Sequence, residues 1–260
     1  MSTTTQKPTR LRGGRRLSDG HVLYWWVEVL AILAFYLIYS AIRNANQSGA
    51  LHAFHNAQHI ISVERHLGIY HEETMQRWAL HFKPLIIMAN YFYGSLHFVV
   101  TIFTGIWLYR RFSDDYPRFR NALAITTAIA LVGFVTFPLM PPRLLHTVQP
   151  SGFVDTLAKY PTIWSFNSGA ASRISNQYAA MPSVHIAWAT WCAVALVPRL
   201  RSGVSKMLAF IYPFFTVIVI VITANHYVLD AVAGAAIFVI GWFMSGQITR
   251  AGRSRPEAVA

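Results

Sequence analysis

NHYVLDAVAGAAIFVIGWFMSGQI, residues 225–248, decides the fold. From Ala231 to Ile248 it carries no charged residue, and it is long enough to cross a hydrocarbon layer as one helix. Yet its first turn holds His226 and Asp230. Four residues apart, they lie on one face of a helix. A carboxylate inside an apolar run is costly unless it has a partner. An Asp that accepts from one imidazole nitrogen fixes the tautomer and leaves the other nitrogen free to attack. The same spacing serves a purely structural hydrogen bond between helices.

Working outward, five more runs are apolar enough to span: 22–42, 85–109, 121–138, 183–198 and 207–224, with 227–248 the sixth. The run at 183–198 is short of the roughly 20 residues a span needs. Pro213 lies inside the fifth run. The first run exceeds a signal-peptide core and lacks an A-x-A site, which predicts a retained anchor. The chain is 54% hydrophobic and 12% charged, about half the charge of a soluble domain. These features predict an all-α polytopic membrane protein, a bundle of six transmembrane helices. The domain spans 21–248, between a disordered basic tail at 1–20 and a short tail at 249–260. Cys192 is the single cysteine, so no disulfide forms within the chain.

The net charge of +12 raises nucleic acid as a partner. Its distribution argues instead for orientation. With the N-terminus cytoplasmic, 15 of the 22 Lys and Arg residues fall on the cytoplasmic side. The positive-inside rule then puts both termini in the cytoplasm of a plasma (inner) membrane. Two long segments, 43–84 and 139–180, face outward. The first has helical apolar spacing, with Trp78 and Phe82 suited to an interface. The second is rich in Pro and Gly.

The residues able to carry chemistry sit at that outer end. In MPSVH, residues 181–185, Pro182 suits the first helical turn. Ser183 and the unpaired N–H groups of a helix start suit an anion such as phosphate. His185 is placed to protonate a leaving oxygen. The bland reading of Ser183 is a helix cap. Arg143, in MPPRLL, offers a guanidinium fork for phosphate. The starts of the fourth and sixth spans share one side, so two histidines, one Asp and two helix N-termini converge. That set fits phosphoryl transfer through a phosphohistidine.

With those residues in place, the chain resembles the type 2 phosphatidic acid phosphatase superfamily, whose blocks are K-x6-R-P, P-S-G-H and S-R-x5-H-x3-D. Pro182-Ser183-Val184-His185 matches the second block and His226-x3-Asp230 part of the third. PPRLL with GFVDT, AAMPSVH and NHYVLDAVAG resemble the inositolphosphotransferase (inositol phosphorylceramide synthase-like) branch. The resemblance covers about residues 60 to 245. It implies a six-span fold with an outward-facing active site. It also implies a His226 nucleophile oriented by Asp230, His185 as general acid, phosphate binding by Ser183, and no metal or other cofactor. Two cations of the pattern are missing: Thr136 stands seven residues before Arg143 and Ile220 six before His226. Arg173, in SRISNQY, is a candidate replacement, or else an ordinary loop arginine. Fewer clamps suit a phosphodiester, which carries less charge than a monoester.

Other polar groups are read more plainly. His52, His55 and His59 share a helix face and could bind a transition metal, but an interfacial helix explains them. His97 is a candidate supporting donor or a histidine bonded to a backbone carbonyl. Asn176, Gln177 and Tyr178 are candidates for reading a polyol headgroup. The expected function is a membrane phosphotransferase or phosphatase acting on a lipid phosphate or phospholipid. The headgroup would be phosphoryl or of phosphoinositol type, and simple dephosphorylation of a phosphatidic acid or polyprenyl phosphate is the alternative. A non-enzymatic haem protein or a proton-coupled transporter gives the Pro182-Ser183 pair and the clustering at one end no reason to exist.

Overall fold

The computed structural model of the protein describes residues 13–45, 49–162 and 177–253. It is mostly helical. A small hairpin, β1 (Gly14–Arg16) with β2 (Val22–Tyr24), precedes helix α1 (Trp25–Ala45). Composition predicts a disordered tail through residue 20, but from residue 13 the chain is folded. Leu17 is buried, and Ser18 N donates to Asp114 Oδ1 at 2.7 Å. Long-range anchoring of this kind leaves no mark in composition.

Helix α1 shows Trp26, Leu30, Leu33 and Leu37 outward, as expected of side chains that face lipid. Its Glu28 is buried and accepts from Arg120 Nη1 at 2.6 Å and Tyr116 Oη at 3.1 Å. The cost of a carboxylate in the first apolar run is thus offset by a partner on another helix.

Helices α2 (Ala50–His66) and α3 (Glu72–Ala79) follow. Helix α4 (Lys83–Tyr91) then continues through a π-helical turn, Phe92–Leu96, into α5 (His97–Arg111). Next come α6 (Tyr116–Thr136), a 3-10 turn over Pro142–Thr147 and the short α7 (Thr156–Lys159). The chain closes with α8 (Val184–Leu196), α9 (Gly203–Ile222) and α10 (Val228–Arg253).

Six spans were expected. Among the described residues, five helices are long and apolar enough to cross a membrane: α1, the continuous α4–α5 rod, α6, α9 and α10. The sixth, predicted over 183–198, is the 13-residue α8. At 1.5 Å per residue it reaches about 20 Å, short of a hydrocarbon core of about 30 Å. It lies inside the bundle, against α5, α6, α9 and α10. Trp191 on it is buried and donates to Phe119 O at 2.8 Å.

Helices α2 and α3 form a cover. The apolar face of α2, with Ala53, Ala57, Ile60 and Ile61, packs on Leu139, Met140, Leu144 and Leu145 of the irregular segment. Trp78 and Phe82 stay exposed and lie against each other, ring centroids 5.4 Å apart. Helix α8 meets α10 at Gly234, where a Cβ would collide with the carbonyl oxygen of Ser183. Replacing Gly234 by Ala is therefore expected to lower the thermal midpoint in detergent and reduce turnover at least ~10-fold, since overpacking costs about 1–3 kcal/mol. Gly203→Ala, with open space around it, is the matched control and should change neither.

Candidate active site

The segment between α9 and α10 is built on backbone bonds. Ile220 O accepts from Asn225 N at 3.0 Å and from His226 N at 3.3 Å. Ala224 adopts a positive φ of 54°, a rare conformation for a side chain with a Cβ. The turn aims His226 back over α10. His226 Nδ1 is 3.3 Å from Asp230 Oδ2, and that oxygen also accepts from Tyr227 N at 3.0 Å. The carboxylate therefore holds the proton on Nδ1. His226 Nε2 is buried with no hydrogen-bond partner. Burial, with a smaller push from the Arg143 guanidinium, lowers this imidazole to about 4, against a nearby Ala180 backbone group that favours the charged form. The ring is thus neutral at neutral pH.

The PSVH stretch meets the same point. Ser183 N donates to the backbone oxygen of Asp230 at 3.0 Å, which fixes the start of α8 to the first turn of α10. Ser183 is the N-cap of α8, yet its side chain makes no cap bond and its Oγ is buried without a partner. Pro182 precedes that cap and does not sit in the first turn. The His185 ring stands 5.5 Å from that of His226, centroid to centroid.

His185 is held by groups that spacing does not reveal. Tyr93 O is 3.3 Å from His185 Nε2 and 3.1 Å from His97 Nδ1. A carbonyl only accepts, so both nitrogens carry hydrogen, and His185 keeps Nδ1 for proton exchange. Tyr93 also stacks on His185, centroids 4.3 Å apart, and His97 lies 4.1 Å from it. Tyr93 belongs to the π-helical turn, a distortion frequent at functional sites. His97 is therefore bonded to a carbonyl and supports His185 as well.

Arg143, on the 3-10 turn, is buried. Its N–H donates to Ala224 O at 2.8 Å, its Nε to Asn225 Oδ1 at 2.9 Å and its Nη1 to Asp155 Oδ2 at 3.0 Å. The guanidinium is thereby locked beside His226. Asp155, the D of GFVDT, also caps α7 through Leu157 N and Ala158 N. Its loop is gripped by two buried amides. Gln76 exchanges two bonds with Val154, at 2.8 and 3.0 Å, and Asn90 two with Thr156, at 2.9 and 3.0 Å.

One expected anion site is absent. The first N–H groups of α10 are already taken by carboxylates: Val228 N by Glu72 at 3.0 Å and Leu229 N by Glu64 at 2.7 Å. Of the two converging helix starts, only that of α8 has no side-chain cap. Arg173 and Asn176 lie outside the described residues. His52, His55 and His59 are exposed on α2. Among the described residues no group of three or more His, Cys, Asp or Glu is arranged to hold a metal ion.

Among the six predicted site residues, His185, His226, Asp230, Ser183 and Arg143 converge at one end of the helical bundle. Tyr93, His97, Asp155 and Asn225 support them. A buried imidazole bonded to a carboxylate thus stands beside a locked guanidinium and a second imidazole, in a helical protein with several apolar, membrane-length helices. Residues 58–244 match the PAP2 superfamily, and the chain belongs to that family. Comparison with curated proteins and with solved structures gives no match.

Proposed function

We propose that the protein transfers a phosphoryl or phosphoinositol-type headgroup from a membrane lipid through a covalent adduct on His226. The observation that carries this reading is the unpartnered, buried Nε2 of His226, with Nδ1 engaged by Asp230. In the first step Nε2 attacks phosphorus and a P–N bond forms. The P–O bond to the lipid alcohol breaks, and that oxygen takes a proton from Nδ1 of the His185 imidazolium. Asp230 stabilises the charge gained by His226. Arg143 and Ser183 hold the equatorial oxygens. In the second step water or an acceptor hydroxyl gives its proton to His185 Nδ1 and attacks phosphorus, which frees His226.

Fewer cations than the superfamily pattern favour a phosphodiester donor, hence headgroup transfer. Dephosphorylation of a lipid phosphate is the second reading, favoured by the family itself. The lysine and arginine distribution supports a site on the extracytoplasmic face of a plasma membrane. The deciding test incubates purified protein, and His226→Ala beside it, with lipid phosphates and phosphoinositides, with and without a lipid alcohol. A new headgroup-bearing lipid from the native protein alone supports transfer. Inorganic phosphate alone supports the phosphatase. Equal turnover by the variant sinks the mechanism.

A further inference from the structure

Two carboxyl groups beside the site take no part in this chemistry. Glu64 on α2 and Glu72 on α3 are both fully buried. They come from different helices to the same turn, where Oε1 of Glu64 accepts from Leu229 N and Oε1 of Glu72 from Val228 N. Asp230 accepts from the preceding N–H, that of Tyr227. Three carboxyls therefore cap one helix start, immediately after the proposed nucleophile. Oε2 of Glu64 and Oε2 of Glu72 are buried with no hydrogen bond to any other group. Two carboxylates side by side and out of water cannot both ionise. One proton between the two Oε2 atoms satisfies both and leaves the pair a single negative charge, beside that of Asp230, at the helix start.

We propose that Glu64 and Glu72 are positioning residues for the transfer reaction, a pair sharing one proton that clasps the first turn of α10 and so holds His226 and Asp230 in register with α8. This rests on the reading of His226 as nucleophile. The pair also limits negative charge close to the place where an anionic phosphate must sit. Glu64 faces Glu72 of α3 and Asp230 of α10, while Tyr70 and Tyr227 look onto the same cluster and Arg65 lies over Tyr70. Burial first, then the Glu72 carboxyl, push Glu64 up to about 9, against the Leu229 N–H that favours its charged form.

The sign follows from this. A raised acid keeps its proton in the folded protein well above its ordinary range. The associated stability is complete below about 4.5 and is lost as pH rises through about 9. When the shared proton leaves, two adjacent carboxylates push the turn apart and repel substrate.

Glu64→Gln is the test. Its amide oxygen can still accept from Leu229 N, and its NH2 supplies permanently the hydrogen that the pair shares. At pH 7 the variant should keep turnover within about 3-fold of native. Above pH 9 native activity should fall with rising KM, while the variant should retain at least ~5-fold more. Glu64→Ala should lower kcat at every pH. An unchanged alkaline limb in Glu64→Gln, or native kcat in Glu64→Ala, overturns the proposal. The thermal midpoint from pH 5 to 10 is read in parallel on native protein and Glu64→Gln. Native stability should decline across that range more steeply than that of the variant, and parallel curves overturn the shared proton. If no lipid substrate turns over while the midpoints diverge, the reading of His226 fails and the proton pair stands.

Discussion

His226→Ala is expected to reduce turnover by about 10³-fold or more. An adduct route has no substitute for its nucleophile, and among the described residues no second imidazole is oriented by a carboxylate at the same point. His185 bonds a backbone carbonyl, Tyr93 O, through Nε2 and has no carboxylate behind it to stabilise the charge an adduct would bring. With donor labelled at phosphorus, rapid quenching should trap labelled native protein whose label is acid-labile and base-stable, as a P–N bond requires. His226→Ala should trap none. Asp230→Asn keeps the size of the side chain but weakens its hold on the tautomer, and should cost about 10²-fold. Full labelling of the His226→Ala variant would place the nucleophile elsewhere.

Arg143 gives the second large effect. Its guanidinium bonds Asp155 and Asn225 before any substrate arrives. Replacement by Ala removes a phosphate ligand and strands a nearly buried Asp155 carboxylate. Breaking a buried pair from one side costs about 3–5 kcal/mol, so Arg143→Ala should lose both stability and essentially all turnover. Arg143→Lys keeps the charge but loses the fork. About 10²-fold lower kcat/KM is expected, with a smaller change in thermal midpoint. Asp155→Asn, which leaves Arg143 in place but less firmly held, should fall between native and Arg143→Lys. A native kcat/KM in Arg143→Lys would show that the guanidinium is a structural tie only.

Most of the candidate site is legible because the residues that the fold brings together stand at short intervals. The spacing of His226 and Asp230 is one helical turn, and Ser183 and His185 stand at a helix start. What was not legible depends on contacts across the fold. Nothing in the sequence around Glu64 and Glu72 marks them, yet they occupy the first N–H groups of α10. Nothing local marks the Tyr93 carbonyl, because a π-helical turn exposes it. Asp155 carried a signal, since GFVDT stood out beside PPRLL, but its role needed the fold to close twelve residues into one ion pair. The run at 183–198 is short in the sequence and α8 covers Val184–Leu196 of it, but an apolar run buried in protein looks the same as one buried in lipid.

The attachment of α1 has a consequence of another kind. A helix that shows lipid its apolar flank and ties Glu28 to Arg120 and Tyr116 of α6 behaves as a mooring. Its sequence is free to drift as long as it stays greasy and keeps one acid near its beginning. An unrelated helix carrying that acid at the same height could be spliced in, and the chemistry at the far end of the molecule would not register the exchange.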